Sequence, residues 1–531
     1  MTSPATTALS APTHRTAAAA TLLGLALAAS STVALAQGTP ATAQGAAEAS
    51  APPGERPYLG RQFRVQPNAD RQSHRRPATR EARAMLVAWH DTAMAATGLD
   101  HTPLSQGEQR AFGEQIGPAR ASRAMAIVHI AMFEAVNALT GQPFESYVGL
   151  EPASGRSAAL DAAIAQAGHD TLVALFPSQR PRFDQHLAED LSTLRLDPAR
   201  QQAGQQLGAR AATAILQRRA NDGAQTDEPD YGTQFEPAPG VAKWRQDPVS
   251  RSPIALGAYW GRVKPFVLER GDQFRVPAPP APESAEFAAA YNEAKALGGD
   301  GTTTPTTRTG DQTYAGIFWA YDGTPTLCAP PRLYNQITMQ LAQQRGMNVV
   351  ELARSLALLN TTLADAAIAS WESKFFWQVG RPVTVIREGI PNASTQRDER
   401  FTPLGAMASN LTGPNFTPPF PAYPSGHATF GGATFQALRH MLGTDQVAFT
   451  FTSDELNGKT LDHDGTVRPL MQRQFTSLSQ AEEENGQSRI YLGIHWSFDK
   501  TAGIAQGRQV ADYVAAHAFR PRERQSGPRA G

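Results

Sequence analysis

Three short blocks in the last third of this 531-residue chain hold residues whose types and spacing suit the handling of an anion. In the first, Lys374 and Arg381 stand seven residues apart in the aromatic-rich stretch from Trp371 to Pro382. Seven residues are close to two helical turns, so both cations are expected on one helical face, with Pro382 ending the helix. Alone, such a pair also fits a snorkelling surface pair. In the second block, Pro424-Ser425-Gly426-His427 precedes a helical run. A helix start of this composition leaves backbone N–H groups and a hydroxyl for an anion, and the helix dipole adds to the preference. His427, in the first turn, would sit beside an oxyanion bound there; alone, Ser-Gly-His is equally an ordinary capping sequence. The third block holds Ser488, Arg489, His495 and Asp499. His495 and Asp499 are i and i+4, so the carboxylate could hold one ring nitrogen and leave the other as ligand or nucleophile. A lone histidine beside an aromatic such as Trp496 is more often a satisfied core residue.

Taken together, Lys374, Arg381 and Arg489 supply three positive charges, and Ser425 and Gly426 supply donors. His427 and His495 remain for axial contact and proton transfer. That inventory suits a tetrahedral or trigonal-bipyramidal oxyanion of high negative charge. It holds no carboxylate cluster for Mg²⁺ or Ca²⁺. Asp462-His463-Asp464-Gly465 reads as a polar turn, and neither HExxH nor GxxxxGK[ST] is present.

The elements that must position these blocks are helical. Arg83–Thr97, Ala119–Leu139, Ser157–Leu175 and Gln201–Arg219 space their apolar residues at three and four, and so do Arg332–Gln344, Asn348–Trp377, His427–Leu442 and Asp499–Phe519. Few windows alternate with period two. Gly- and Pro-rich stretches at 222–256 and 276–313 interrupt the pattern. The expected fold class is all-α, with two four-helix-bundle-like halves joined by long irregular connections. The expected boundaries are an N-terminal helical domain over 81–300 and a C-terminal catalytic helical domain over 310–520.

Composition narrows the function. Lys+Arg and Asp+Glu number 48 each, so the formal net charge is zero, which argues against a nucleic-acid-coating or polybasic membrane-surface protein. Cys328 is the sole cysteine, excluding intrachain disulfides, zinc fingers and iron–sulfur sites. Residues 1–36 read as a secretory signal peptide: a polar start with His14 and Arg15, an apolar run from Ala17 to Ala29, and Ala34-Leu35-Ala36 as the cleavage motif. Residues 37–80 read as a disordered lead-in. No later segment offers 18 consecutive apolar residues, so a secreted or periplasmic protein without a stable membrane anchor after cleavage near Ala36 is expected.

Lys-x6-Arg-Pro, Pro-Ser-Gly-His and Ser-Arg-x5-His-x3-Asp, in that order, resemble the signature uniting phosphatidic acid phosphatases, bacterial acid phosphatases and vanadium-dependent haloperoxidases. Pro418–Ala433, Phe318-Trp-Ala-Tyr-Asp322-Gly, Pro331–Gln336 and Ile494–Asp499 look like the vanadium chloroperoxidase branch in particular. The resemblance covers roughly residues 315–510 and implies an all-α fold of two four-helix bundles.

Carried over, it implies that His495 Nε2 is the axial, metal-bound ligand of a V(V) vanadate cofactor. Lys374, Arg381, Ser425, the Gly426 N–H and Arg489 would hold the oxygens. His427 would be the acid–base group admitting hydrogen peroxide, Lys374 would polarise that peroxide toward halide attack, and hypohalous acid would leave. Asp322 would pair with Arg489, and Trp371 and Phe420 would flank the halide. The algal bromoperoxidase branch has a histidine where Phe420 stands, which tilts the expectation toward the chloroperoxidase type. The implied partners are hydrogen peroxide, chloride or bromide, and an organic acceptor. The alternative is a secreted acid phosphatase of the same superfamily working through a phosphohistidine at His495. A third reading, a non-catalytic oxyanion binder, would not require His427.

Overall fold

The computed structural model describes residues 58–59, 62–65, 81–153 and 158–522. The expected signal peptide at 1–36 lies outside the described residues. From the N-terminal side come α1 (Ala82–Asp100), α2 (Gly117–Leu139), α3 (Leu160–Leu175), α4 (Arg180–Thr193) and α5 (Pro198–Arg219). After a long irregular stretch follow α6 (Ala285–Leu297), α7 (Gly310–Phe318), α8 (Pro331–Gln344), α9 (Val349–Trp377) and α10 (Pro382–Glu388). The chain closes with α11 (Gly426–Leu442), α12 (Leu478–Tyr491) and α13 (Ser497–His517). Strands are few among the described residues: β1 (Arg64–Val65) pairs with β2 (Leu411–Thr412), and β3 (Phe449–Asn457) with β4 (Leu470–Phe475), both antiparallel. The all-α expectation holds.

The eight apolar-periodic stretches become α1, α2, α3, α5, α8, α9, α11 and α13. Other elements escaped that periodicity for identifiable reasons. The packed face of α12 is largely polar: Glu482, Asn485, Ser488 and Arg489 are all buried. Hydrophobic spacing cannot reveal such a face. Within the stretch 276–313, Ser284 caps α6 by accepting from the Phe287 N–H at 3.1 Å. In β3, Ser453 and Glu455 take buried positions alternating with the exposed side, so the inward face is half polar.

Helix α9 is the axis of the core. Asn348 opens it with a capping box, and its side chains from Leu352 to Trp371 are almost all buried. The N-terminal helices pack on it mainly through α2, and α11 and α13 pack on it as well. Small residues set the approach of α11 to α13. A Cβ on Gly507 would lie 2.1 Å from the Thr429 carbonyl oxygen, and one on Gly432 would lie 2.4 Å from that of Ile504. These two helices therefore meet backbone to backbone, which brings their N-termini together.

One expectation needs correction here. Within the supposed disordered lead-in, Tyr58, Leu59 and Phe63 are buried. Phe63 stacks edge-on against Phe416 at 5.6 Å between ring centroids, and Arg64 pairs with Thr412. Aromatic burial and a strand register reached across 348 residues of chain seat this segment, and neither leaves a local periodic signal.

Candidate active site

The N-termini of α11 and α13 and the end of α9 converge on one cavity of about 20 Å³. Asp322, Trp371, Phe420, Gly426, His427, Arg489 and His495 line it, as do Tyr58, Pro118, Pro330, Pro418 and Phe430. Lys374, Arg381, Ser425 and Asp499 stand directly behind. Every candidate residue drawn from the sequence is thus in one place. Tyr58, Pro118 and Pro330 carry no spacing that marks them, and Pro418 and Phe430 fall inside the Pro418–Ala433 stretch without being singled out.

His495 is oriented from both ring nitrogens. Its Nδ1 lies 2.8 Å from Asp499 Oδ2, and Arg381 Nη1 donates to its Nε2 at 2.9 Å. A guanidinium only donates, so Nε2 holds the lone pair and Nδ1 carries the proton given to Asp499. The i, i+4 relation arises through a helix cap rather than a shared helical face. His495 precedes α13, and Asp499, in its first turn, also accepts from the Trp496 N–H at 3.1 Å. Burial, and then Arg381 and Lys374, hold the imidazole well below its usual pKa. Burial raises Asp499 to about 7.

The Lys374–Arg381 pair is assembled differently from the expectation. Helix α9 ends at Trp377, Gln378 adopts a left-handed conformation at φ 49, and Pro382 begins α10 instead of ending a helix. Arg381 is the residue preceding α10, so the two cations do not share a helical face. Proline is suited to a first helical position, and that is where it serves. Lys374 Nζ donates to the carbonyls of Pro421, at 2.9 Å, Ala422, at 3.0 Å, and Pro424, so its three protons anchor the loop leading to Ser425. Burial and then Arg381 push this ammonium well below its usual pKa.

Ser425 caps α11, accepting from the Ala428 N–H at 3.4 Å, and its own N–H donates to the Asp499 carbonyl at 3.0 Å. That contact ties the starts of α11 and α13. His427 Nε2 lies 2.6 Å from the Ala320 carbonyl; a carbonyl only accepts, so Nε2 carries the proton and Nδ1 is the basic nitrogen. Burial and then Arg489 keep its pKa well below normal, so the ring is neutral near pH 7. Trp371 and Phe420 stand with ring centroids 4.9 Å apart, and Trp371 Nε1 donates to the Leu256 carbonyl at 3.1 Å.

Electrostatically the site has unused donors. Arg489 Nη2 donates to Asp322 Oδ1 at 2.6 Å, but its Nε and Nη1 find no partner among the described residues. Arg381 donates to the carbonyls of Phe420 and Ile494, each at 2.9 Å, while its Nη2 is likewise buried and unpartnered. Burial lowers Arg381 to about 9, which leaves it charged at neutral pH. Buried donors without acceptors are costly, and three of them beside one cavity call for an anionic acceptor. A multiply charged oxyanion fits this donor set. To reach His495 Nε2 it must displace one N–H of Arg381 Nη1, whose other hydrogen keeps Ile494 O as acceptor.

Residues 354–524 match the family model of the VCPO second helical-bundle domain. The vanadium chloroperoxidase of Curvularia inaequalis is 38% identical over 256 residues, 42% of this chain and 42% of that one. The match therefore spans less than half the length of that relative. Among solved structures, one described as the first bacterial vanadium-dependent iodoperoxidase superposes with a TM-score of 0.65 at 22% identity, covering 82% of this chain and 98% of that one. A holo-type bacterial vanadium-dependent chloroperoxidase gives a TM-score of 0.57 at 18% identity, over 78% of this chain and 95% of that one. The chain is thus similar in sequence to vanadium haloperoxidases over residues 354–524 for the family model, and in fold over most of its length.

Proposed function

We propose that this chain, whose residues 354–524 match the VCPO second helical bundle, is a vanadium-dependent haloperoxidase that oxidises chloride or bromide with hydrogen peroxide to hypohalous acid. The observation that carries the reading is the set of buried, unpartnered guanidinium donors on Arg381 and Arg489 beside the lone pair of His495 Nε2. Arg381, Arg489, the Ser425 hydroxyl and the Gly426 N–H would hold the oxygens of vanadate, and His495 Nε2 its vanadium. When bound, vanadate supplies a V(V) Lewis acid that makes hydrogen peroxide electrophilic.

The chain's own groups do the rest. Asp499 fixes the His495 tautomer, keeping the lone pair on Nε2. His427, neutral and buried, takes a proton from incoming hydrogen peroxide on Nδ1. Lys374 contributes a buried positive charge from its seat on three carbonyls, and Asp322 holds Arg489 in place. Trp371 and Phe420 offer the halide an apolar approach that strips water from one side.

The test is halogenation of monochlorodimedone by metal-free protein with hydrogen peroxide and chloride, bromide or iodide, with and without orthovanadate. Vanadate-dependent halogenation with chloride or bromide is expected. Turnover of p-nitrophenyl phosphate that vanadate inhibits, without halogenation of any acceptor, would overturn the reading in favour of a phosphatase. Export is proposed with it, on the leader-like composition of residues 1–36. N-terminal sequencing of protein recovered outside the cytoplasm should begin near Gln37, and intact Met1 there would refute cleavage.

A further inference from the structure

A residue that precedes α1 reaches into the cavity. Tyr58, 5% exposed, lines it beside His427, His495 and Arg489. Two hydrogen bonds and a close glycine seat the residue. Its hydroxyl donates to the Asp322 carbonyl at 2.6 Å, and its own carbonyl accepts from Ser252 Oγ. Gly323, at φ +82, leaves the necessary space: a Cβ there would lie 1.9 Å from the Tyr58 hydroxyl. Phe63 against Phe416 and the β1–β2 pairing anchor the segment behind it. The neighbouring cavity walls are Pro118, Pro330, Pro418, Phe420 and Phe430. The Tyr58 ring thus extends an apolar wall that faces a cationic and imidazole-bearing floor.

We propose that Tyr58 is a halide-binding residue, the wall that keeps the approach to the site dry. The inference rests on the haloperoxidase reading. A halide passing between apolar walls surrenders water on that side, so a dry wall favours the halide that sheds water at least cost. Cutting the ring away admits water and weakens halide binding, while the proton-transfer groups stay in place. The kinetic signature is a raised KM with an unchanged kcat.

The experiment is steady-state bromide kinetics with vanadate-loaded wild type, Tyr58→Phe, Tyr58→Leu and Tyr58→Ala, alongside vanadate affinity by tryptophan-fluorescence titration. Bromide KM should rise about tenfold in Tyr58→Ala and about threefold in Tyr58→Leu, and stay within about twofold in Tyr58→Phe, with kcat and the vanadate Kd within about twofold throughout. Unchanged bromide KM in Tyr58→Ala overturns the proposal; should that variant not fold, unchanged KM in Tyr58→Leu does so. Weakened vanadate binding with reduced kcat in Tyr58→Phe also overturns it, because the phenol would then act through Asp322. A wild type that halogenates while all three variants behave like it removes this inference alone. A wild type that oxidises no halide removes the proposed function and this inference together.

Discussion

Arg381 Nη1 donates to His495 Nε2 across 2.9 Å, so an arginine occupies the lone pair that the proposed ligand would use. The same nitrogen also donates to the Ile494 carbonyl, at 2.9 Å, and Arg381 Nη2 remains unpartnered. An arriving anion therefore meets a guanidinium that can leave Nε2 and still keep a partner. The arrangement holds the ring in its useful tautomer before anything binds.

This predicts a graded response at the histidine. His495→Ala should abolish vanadate binding. Asp499→Ala should weaken it by about 10–100-fold, because the ring loses the acceptor that fixes its tautomer. Equilibrium vanadate titration of the metal-free variants checks both, and wild-type affinity in His495→Ala would remove the ligand role given to it.

His427 should separate binding from turnover. Its Nε2–H is held by Ala320 O at 2.6 Å, a backbone carbonyl that takes no part in holding the anion. His427→Ala is expected to keep vanadate affinity while kcat falls by about 10²–10⁴-fold. Comparing titration with single-turnover halogenation decides the matter.

Lys374 is expected to matter twice. Lys374→Met leaves the Pro421, Ala422 and Pro424 carbonyls without their donor and should destabilise the metal-free protein by roughly 3 kcal/mol, measured by urea unfolding. Because Arg381 and Arg489 still bring two positive charges, halogenation kcat should fall more than vanadate affinity. Equal losses in both would assign Lys374 to anion binding alone.

A pH effect on stability is built in outside the set of cavity-lining residues. His129 donates from Nδ1 to the Met125 carbonyl at 2.7 Å, so its Nε2 accepts from His90 Nδ1, 3.0 Å away. Burial pushes His129 down to about 4 and holds His90 well below its usual value. The unfolded chain binds protons that the folded chain refuses, so stability present above about pH 6.5 is lost as pH falls toward 4. His129 accounts for roughly 3 kcal/mol of that loss. Urea midpoints at pH 7.5 and pH 5 should differ strongly in wild type and much less in a His90→Phe, His129→Leu double variant.

The sequence by itself determined the helical class and which residue types gather at the site, because both are written in local terms. Apolar residues at three and four spell α9 and α11, and Lys374, Arg381, Ser425, His427, Arg489 and His495 are the types that holding an anion would need. Tertiary structure alone decided how they meet. A left-handed Gln378 and a helix begun at Pro382 place Arg381 against His495, where helical spacing had put it on the face of Lys374. Gly432 and Gly507 let α11 and α13 touch backbone to backbone, which joins Ser425 to Asp499. Helix α12 and strand β3 bury polar faces that no hydrophobic period marks, and Tyr58 reaches the cavity from a stretch without any pattern. Contacts across hundreds of residues depend on which buried polar groups find partners, and that is settled only when the packed elements close around them.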